Sequence, residues 1–246
     1  MNTIDPVAAA GLVAREVRGG SRNGQPTKIA VARRTYSTDQ ADLWDAVTDV
    51  DRIPRWFLPV SGDLVLGGRY QLEGNAGGVV ERCEEPESFA VTWEFGGLVS
   101  WLEVTLTPAG AGTILELVHE SPVDPDFWKQ FGPGAVGVGW DLALMGLGLH
   151  LDSGMPVDPA EGAAFATTPN GVEFVRRCAV GWADAAVRDG DEPGPAHEAA
   201  ARTVTFYTVV PDDAVPPDAA APDAAAPDAV VADAVPATGE DESAGS

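Results

Sequence analysis

Apolar and polar positions alternate from residue 28 to residue 36, the period of a half-buried strand. The rhythm then changes across residues 35–57, TYSTDQADLWDAVTDVDRIPRWF. Leu43, Trp44 and Val47 have helical spacing, and Ser37 with Gln40 has the spacing of a capping box that opens such a helix. Residues 51–57 add a second short helical turn, which Pro59 ends. Strand-like segments follow at 64–66, 69–73, 79–84, 89–95, 99–107 and 113–120, divided by Gly and Pro turn signals at hairpin spacing. Alternation assigns their faces. Val91, Trp93 and Phe95 oppose Thr92 and Glu94; Leu102, Val104 and Leu106 oppose Glu103 and Thr105. Leu115, Leu117 and His119 form one side of the last strand, against Ile114, Glu116 and Val118. An antiparallel sheet with one wet face is expected.

Residues 131–151, FGPGAVGVGWDLALMGLGLHL, admit three readings. The segment has the length of a membrane span, but Asp141 at its centre and its six glycines oppose insertion. Gly132, Gly134 and Gly137 spell GxGxxG, with Asp152 twenty residues after the first glycine. A dinucleotide site also needs a buried strand just before that glycine, and residues 125–130 are not one. The third reading is a helix laid against the sheet: Trp140, Leu144, Leu147 and Leu151 share a face, and the glycines let the sheet backbone come close. This reading fits best.

Both flanks read as helical. Residues 5–18 suggest an amphipathic helix, with Pro6 in its first turn and Gly19-Gly20 as its stop. Residues 170–187 and 195–207 suggest two more, serving either to lengthen the core or as a lid or dimer surface. From Pro211 onward, Pro, Ala and Asp repeat every five residues, a period of neither helix nor strand. Without aromatic residues such a stretch cannot bury enough surface to order itself, so a disordered tail is expected. The expected division is an N-terminal helix and linker at 1–26, a main domain at 27–152, a helical extension at 153–210 and the tail at 211–246.

Charge narrows the partners. The formal net charge is -23, and nine of the 38 acids but none of the 15 bases lie beyond Val210. The preceding residues still hold 29 acids against 15 bases. Such a body repels phosphate backbones, so nucleic acid is not an expected partner. Cys83 and Cys178 stand alone and far apart, and the first twenty residues lack a basic leader, which fits a reduced cytoplasmic protein.

LGGRYQLEGNAGG, VERCEEPESFAVTWEF, the DRIPRWF run, the LWDAVTD helix and the glycine-rich segment resemble the SRPBCC (START-like) superfamily. Within it they resemble bacterial homologues of the activator of heat-shock-protein-90 ATPase, carboxyl-terminal domain. The resemblance spans roughly residues 27–152, with Leu43-Trp44, Arg55-Trp56-Phe57 and Val91-Thr92-Trp93 as its most specific parts. It implies an α+β helix-grip (START/Bet v 1-like) fold, in which an antiparallel sheet of seven or so strands wraps around a long helix and encloses a hydrophobic cavity. It does not imply a single reaction, because the superfamily holds carriers, receptors, cyclases and oxygenase domains.

Candidate chemistry is sparse. Trp93, Phe95, Leu102, Val104, Leu117, His119, Trp140, Leu144 and Leu147 are the expected cavity wall, suited to a small apolar or amphipathic ligand. An alternative is a cyclase- or hydrolase-type enzyme using His119 as general base with Asp141. His119 could equally be a half-exposed strand-end residue, and Asp141 could sit at the solvent edge or pair with Arg69 or Arg82. His150 stands near a helix end, where it favours the dipole. No zinc-like spacing and no Gly-x-Ser-x-Gly elbow occurs, so neither metal nor cofactor is implied. A chaperone-binding module is a third reading, motivated by the acidic surface.

Overall fold

The dipeptide Asn23-Gly24 sets the first pairing of the fold. Both residues have positive φ, 52° and 79°, the conformation of a two-residue hairpin loop. The loop joins strand β1 (Ala14–Arg22) to β2 (Gln25–Tyr36) in an antiparallel pair. In this computed structural model, which describes residues 5–209, the helix expected over 5–18 is therefore cut short. Only α1 (Pro6–Gly11) is helical, capped by the Asp5 carboxylate. Residues 14–22 are an edge strand, not a linker. Only Val17 of that strand is buried, so it shows no clear alternation. The tail expected beyond Pro211 lies outside the described residues.

Six more strands follow: β3 (Val60–Gly62), β4 (Arg69–Leu72), β5 (Gly77–Glu84), β6 (Ser88–Phe95), β7 (Leu98–Ala109) and β8 (Gly112–Pro122). All eight form one antiparallel sheet in the order β1-β2-β8-β7-β6-β5-β4-β3. The strand expected at 64–66 is instead a loop, and the pairing partner of β4 is Val60–Gly62. Val65 and Leu66 are exposed there, so their apolar character was misleading. The inner faces agree with the alternation. Val91, Leu102, Val104, Leu106, Leu115 and Leu117 are all buried.

The helices close this curved sheet. Helix α2 (Gln40–Thr48) is capped by Asp39, whose carboxylate accepts from the Asp42 amide at 2.9 Å; Ser37 is not the cap. Gln40 instead donates across to the Leu106 carbonyl at 2.9 Å, tying α2 to β7. A 3-10 turn (Ile53–Arg55) follows. The helix expected over 131–151 starts three residues later: α3 (Pro125–Phe131) ends at Gly132, with φ 55°, and α4 (Gly134–Ser153) begins after Pro133. The chain continues through α5 (Pro159–Phe165), α6 (Pro169–Asp189) and α7 (Pro193–Thr208).

Helix α4 is gripped from both sides. Trp140, Leu144 and Leu147 face the sheet, and Val138, Asp141 and Met145 are buried as well. It has the length and hydropathy of a membrane span, yet most of it is buried within the protein. Its glycines are contact points. A Cβ at Gly137 would collide with the Trp182 indole of α6, and one at Gly134 would lie 2.6 Å from the Thr203 hydroxyl of α7. A Cβ at Gly148 would strike the Arg34 guanidinium on β2. The GxGxxG glycines thus terminate α3 and seat two helices. The close approach expected from the sheet comes as much from α6 and α7.

Candidate functional site

Between the sheet and α4 lies a chamber of about 150 Å³. It lies where β3 to β8 present apolar side chains toward α4. Trp93, Leu102, Val104, Leu117, Trp140, Leu144 and Leu147, named from the sequence, all line it. Val91 and Leu115 join them from the same strand faces. Val47, Ile53, Trp56 and Phe57 close one end from α2 and the turn after it. Phe57, part of the Arg55-Trp56-Phe57 run, was not among the expected wall residues, because a short irregular segment has no periodicity to mark its inward side.

Phe95 and His119 do not line this chamber. They border a second space of about 110 Å³, with Asn75, Val136, Phe206 and Tyr207. Phe57, Trp93 and Trp140 border both spaces and so stand between them. The Trp93 and Trp140 rings meet edge to face at 5.1 Å, and Phe57 stacks on Trp140 at 6.2 Å. The floor of the second space is built by α7. The Tyr207 hydroxyl donates to the Ala135 carbonyl at 2.6 Å and lies against Gly139.

Polar atoms in the chamber wall are mostly engaged within the protein. The Tyr70 hydroxyl donates to Thr92 O at 2.8 Å, the Thr48 hydroxyl to Trp44 O at 2.7 Å, and the Trp56 indole to Ala46 O at 2.8 Å. Burial pushes the Tyr70 phenol well up, so it stays neutral. Cys83 is an exposed free thiol that borders the chamber.

His119 is buried, not half-exposed. Its Nδ1 lies 2.9 Å from the Trp140 indole nitrogen, which can only donate. Nδ1 is therefore the acceptor and Nε2 carries the proton, donating to the Ser100 hydroxyl at 2.8 Å. Ser100 in turn donates to Trp93 O at 3.1 Å. Burial lowers the His119 pKa to about 4, in keeping with a neutral ring. Both nitrogens are engaged, so His119 fixes the Trp140 ring and has no free lone pair for general-base chemistry.

Asp141 is fully buried and points away from the chamber toward α6. Its partner is neither Arg69 nor Arg82, which pair with Glu94 and Glu103. Arg15 of β1 grips the carboxylate with two bonds of 3.0 and 2.8 Å, and the Trp182 indole adds a third at 2.8 Å. The same guanidinium donates to the Ala10 and Val13 carbonyls. Burial raises the Asp141 carboxyl against the pull of Arg15 and Trp182. Burial is the largest single influence on Arg15 and would lower it, but the Asp141 charge, its hydrogen bonds and Cys178 together hold the guanidinium above its ordinary value. This pair is a clamp between the N-terminal strand and α4. His150 is likewise buried, with Nδ1 2.9 Å from Met155 O. Among the described residues no group of three His, Cys, Asp or Glu side chains converges to hold a metal.

An antiparallel sheet gripping one long helix, with an apolar space between them, defines the SRPBCC (START-like) helix-grip class. The family model for activator of Hsp90 ATPase homologue 1-like proteins matches residues 37–152. The solution structure of CalU16 from Micromonospora echinospora is 31% identical with a TM-score of 0.61, covering 72% of this chain and 97% of CalU16. The crystal structure of that protein gives 29% identity and a TM-score of 0.57, over 70% and 97% of the two chains. The chain belongs to the activator of Hsp90 ATPase homologue 1-like family. EF2215 from Enterococcus faecalis, a conserved protein of unknown function, shares the fold at 15% identity and a TM-score of 0.53, over 76% of this chain and 99% of EF2215. No curated protein matches the chain significantly.

Proposed function

We propose that this protein binds or sequesters a small hydrophobic or amphipathic molecule, without catalysis, in the chamber between the sheet and α4. The observation that carries this reading is the wall itself. Apolar side chains from α2, α4 and six strands converge on one space, and the polar atoms among them are largely satisfied by the protein. Such a surface gains by replacing water with hydrocarbon. The cyclase or hydrolase alternative has less support, since His119 is held by Trp140 and Ser100 while Asp141 is held by Arg15 and Trp182 on the other side of α4.

Trp56, Trp93 and Trp140 all line the chamber and report on its contents. Titration with a panel of lipids and polyketides should shift tryptophan emission and raise the melting temperature for at least one class, by mass action on the folded state. Unchanged emission and melting temperature across the panel would remove the proposal.

A further inference from the structure

We infer that the chamber between the sheet and α4 takes one uncharged ring with at most a short side chain, and that any longer part of a ligand leaves past Cys83. This rests on the proposed binding in that chamber and adds a size and a direction to it. Sites that take drug-sized ligands run to roughly 300–1,000 Å³. The chamber offers about 150 Å³. An engineered apolar cavity of about that volume stays dry and holds one benzene molecule. A full acyl chain or a fused-ring polyketide does not fit within it whole.

The wall gives the chemical class. Among the described residues, the lining holds no Asp, Glu, Lys, Arg or His, so a buried charge would have no partner there. Trp56, Phe57, Phe89 and Trp140 contribute rings to the lining, and an aromatic guest stacks on such rings or meets them edge to face. The boundaries give the direction. Toward α7 the chamber stops where Trp93 and Trp140 meet edge to face at 5.1 Å and Phe57 stacks on Trp140 at 6.2 Å. Of the lining residues, Cys83 of β5 alone is exposed. Its partner across the ladder on β6, Phe89, is half-buried. The mouth therefore lies at Cys83, and the remainder of a larger molecule reaches water there.

The test follows benzene, ethylbenzene, butylbenzene and hexylbenzene by tryptophan emission on the intact chain. While the chamber fills, each added methylene should tighten binding about fourfold, and beyond that point the gain should end. Hexylbenzene should therefore bind within about fourfold of butylbenzene, against the roughly fifteenfold that two further buried methylenes would give. A larger ratio than that fourfold overturns the size limit. Saturating hexylbenzene should slow the reaction of Cys83 with an aqueous disulfide reagent, while benzene leaves it unchanged; Cys178 is buried and does not compete. Equal rates with the two probes overturn the exit at Cys83. Carbon–proton correlation spectra locate the ring. Benzene should move the methyl signals of Val91, Leu102 and Leu144, which line the chamber, whereas shifts confined to the exposed Val65 and Leu66 overturn the inference. If none of the four binds while a lipid or polyketide of the wider panel does, the size limit fails and the cavity reading stands. If nothing in either panel binds, the cavity reading itself fails, and the inference with it.

Discussion

At the scale of single residues, the glycines of α4 decide more than their composition suggests. In an exposed helix, replacing glycine by alanine gains about 1 kcal/mol of helix propensity. At Gly137 the added methyl would meet the Trp182 indole, which is fully buried and cannot step aside. Overpacking of that kind costs about 1–3 kcal/mol, so the steric term prevails. Gly137→Ala is expected to lower the midpoint of urea unfolding, while Gly194→Ala, exposed in α7 with open space at its Cβ, should leave it unchanged or raise it. His119 gives a second expectation. Its folded pKa of about 4 lies below its ordinary value of 6.5, so the unfolded chain takes up the proton first. The stability due to the neutral ring is complete above pH 6.5 and falls as the pH drops toward 4. Across that window the loss amounts to about 3 kcal/mol. His119→Gln should flatten this part of a stability–pH curve relative to the wild type.

At the scale of elements, β1 and α6 meet α4 through one buried ion pair. Asp141→Asn leaves the Arg15 guanidinium buried beside a neutral partner and should destabilise the protein by about 3–5 kcal/mol. Replacing both residues, as Arg15→Met with Asp141→Leu, removes the uncompensated charge and should recover much of that loss. The Trp182 N–H then lacks its acceptor, which limits the recovery by about 1–3 kcal/mol. Chemical denaturation of the two variants distinguishes this clamp from a surface pair, for which both substitutions would be nearly silent. Helices α6 and α7 belong to the same packing system: Trp182 and Thr203 fill the glycine notches of α4, and Tyr207 covers Gly139. Elements outside the stretch matched by the family model thus complete the second space.

At the scale of the whole molecule, an excess of acids surrounds a core that contains almost no free charge. The described bases are largely paired with acids at the surface, as in Arg52 with Asp42 and Asp45. The unpaired acids repel one another over a Debye length of about 10 Å at 0.1 M salt. Raising sodium chloride from low concentration should therefore raise the melting temperature modestly, since screening this repulsion outweighs the loss at exposed ion pairs. A steady fall in melting temperature over the same range would show that the pairs dominate.

Much of the architecture was legible in the chain because it follows from local rules. The period-2 runs fixed the inward faces of β6, β7 and β8, and most of the expected chamber wall came from those faces and from Trp140, Leu144 and Leu147 of the long helix. Asn23-Gly24 was an equally local signal for the β1–β2 hairpin, but Pro6 as a helix start and Gly19-Gly20 as a stop suggested a helix over residues 5–18. What the sequence could not decide was which distant groups meet. Arg15 lies 126 residues from Asp141, and no period links them. Phe95 and His119 share the inward face of their strands with the chamber residues, yet the position of Trp140 and α7 puts them in a separate space. Alternation tells a side chain which face of the sheet to take; only the packing of a second layer on that face determines which chamber it enters.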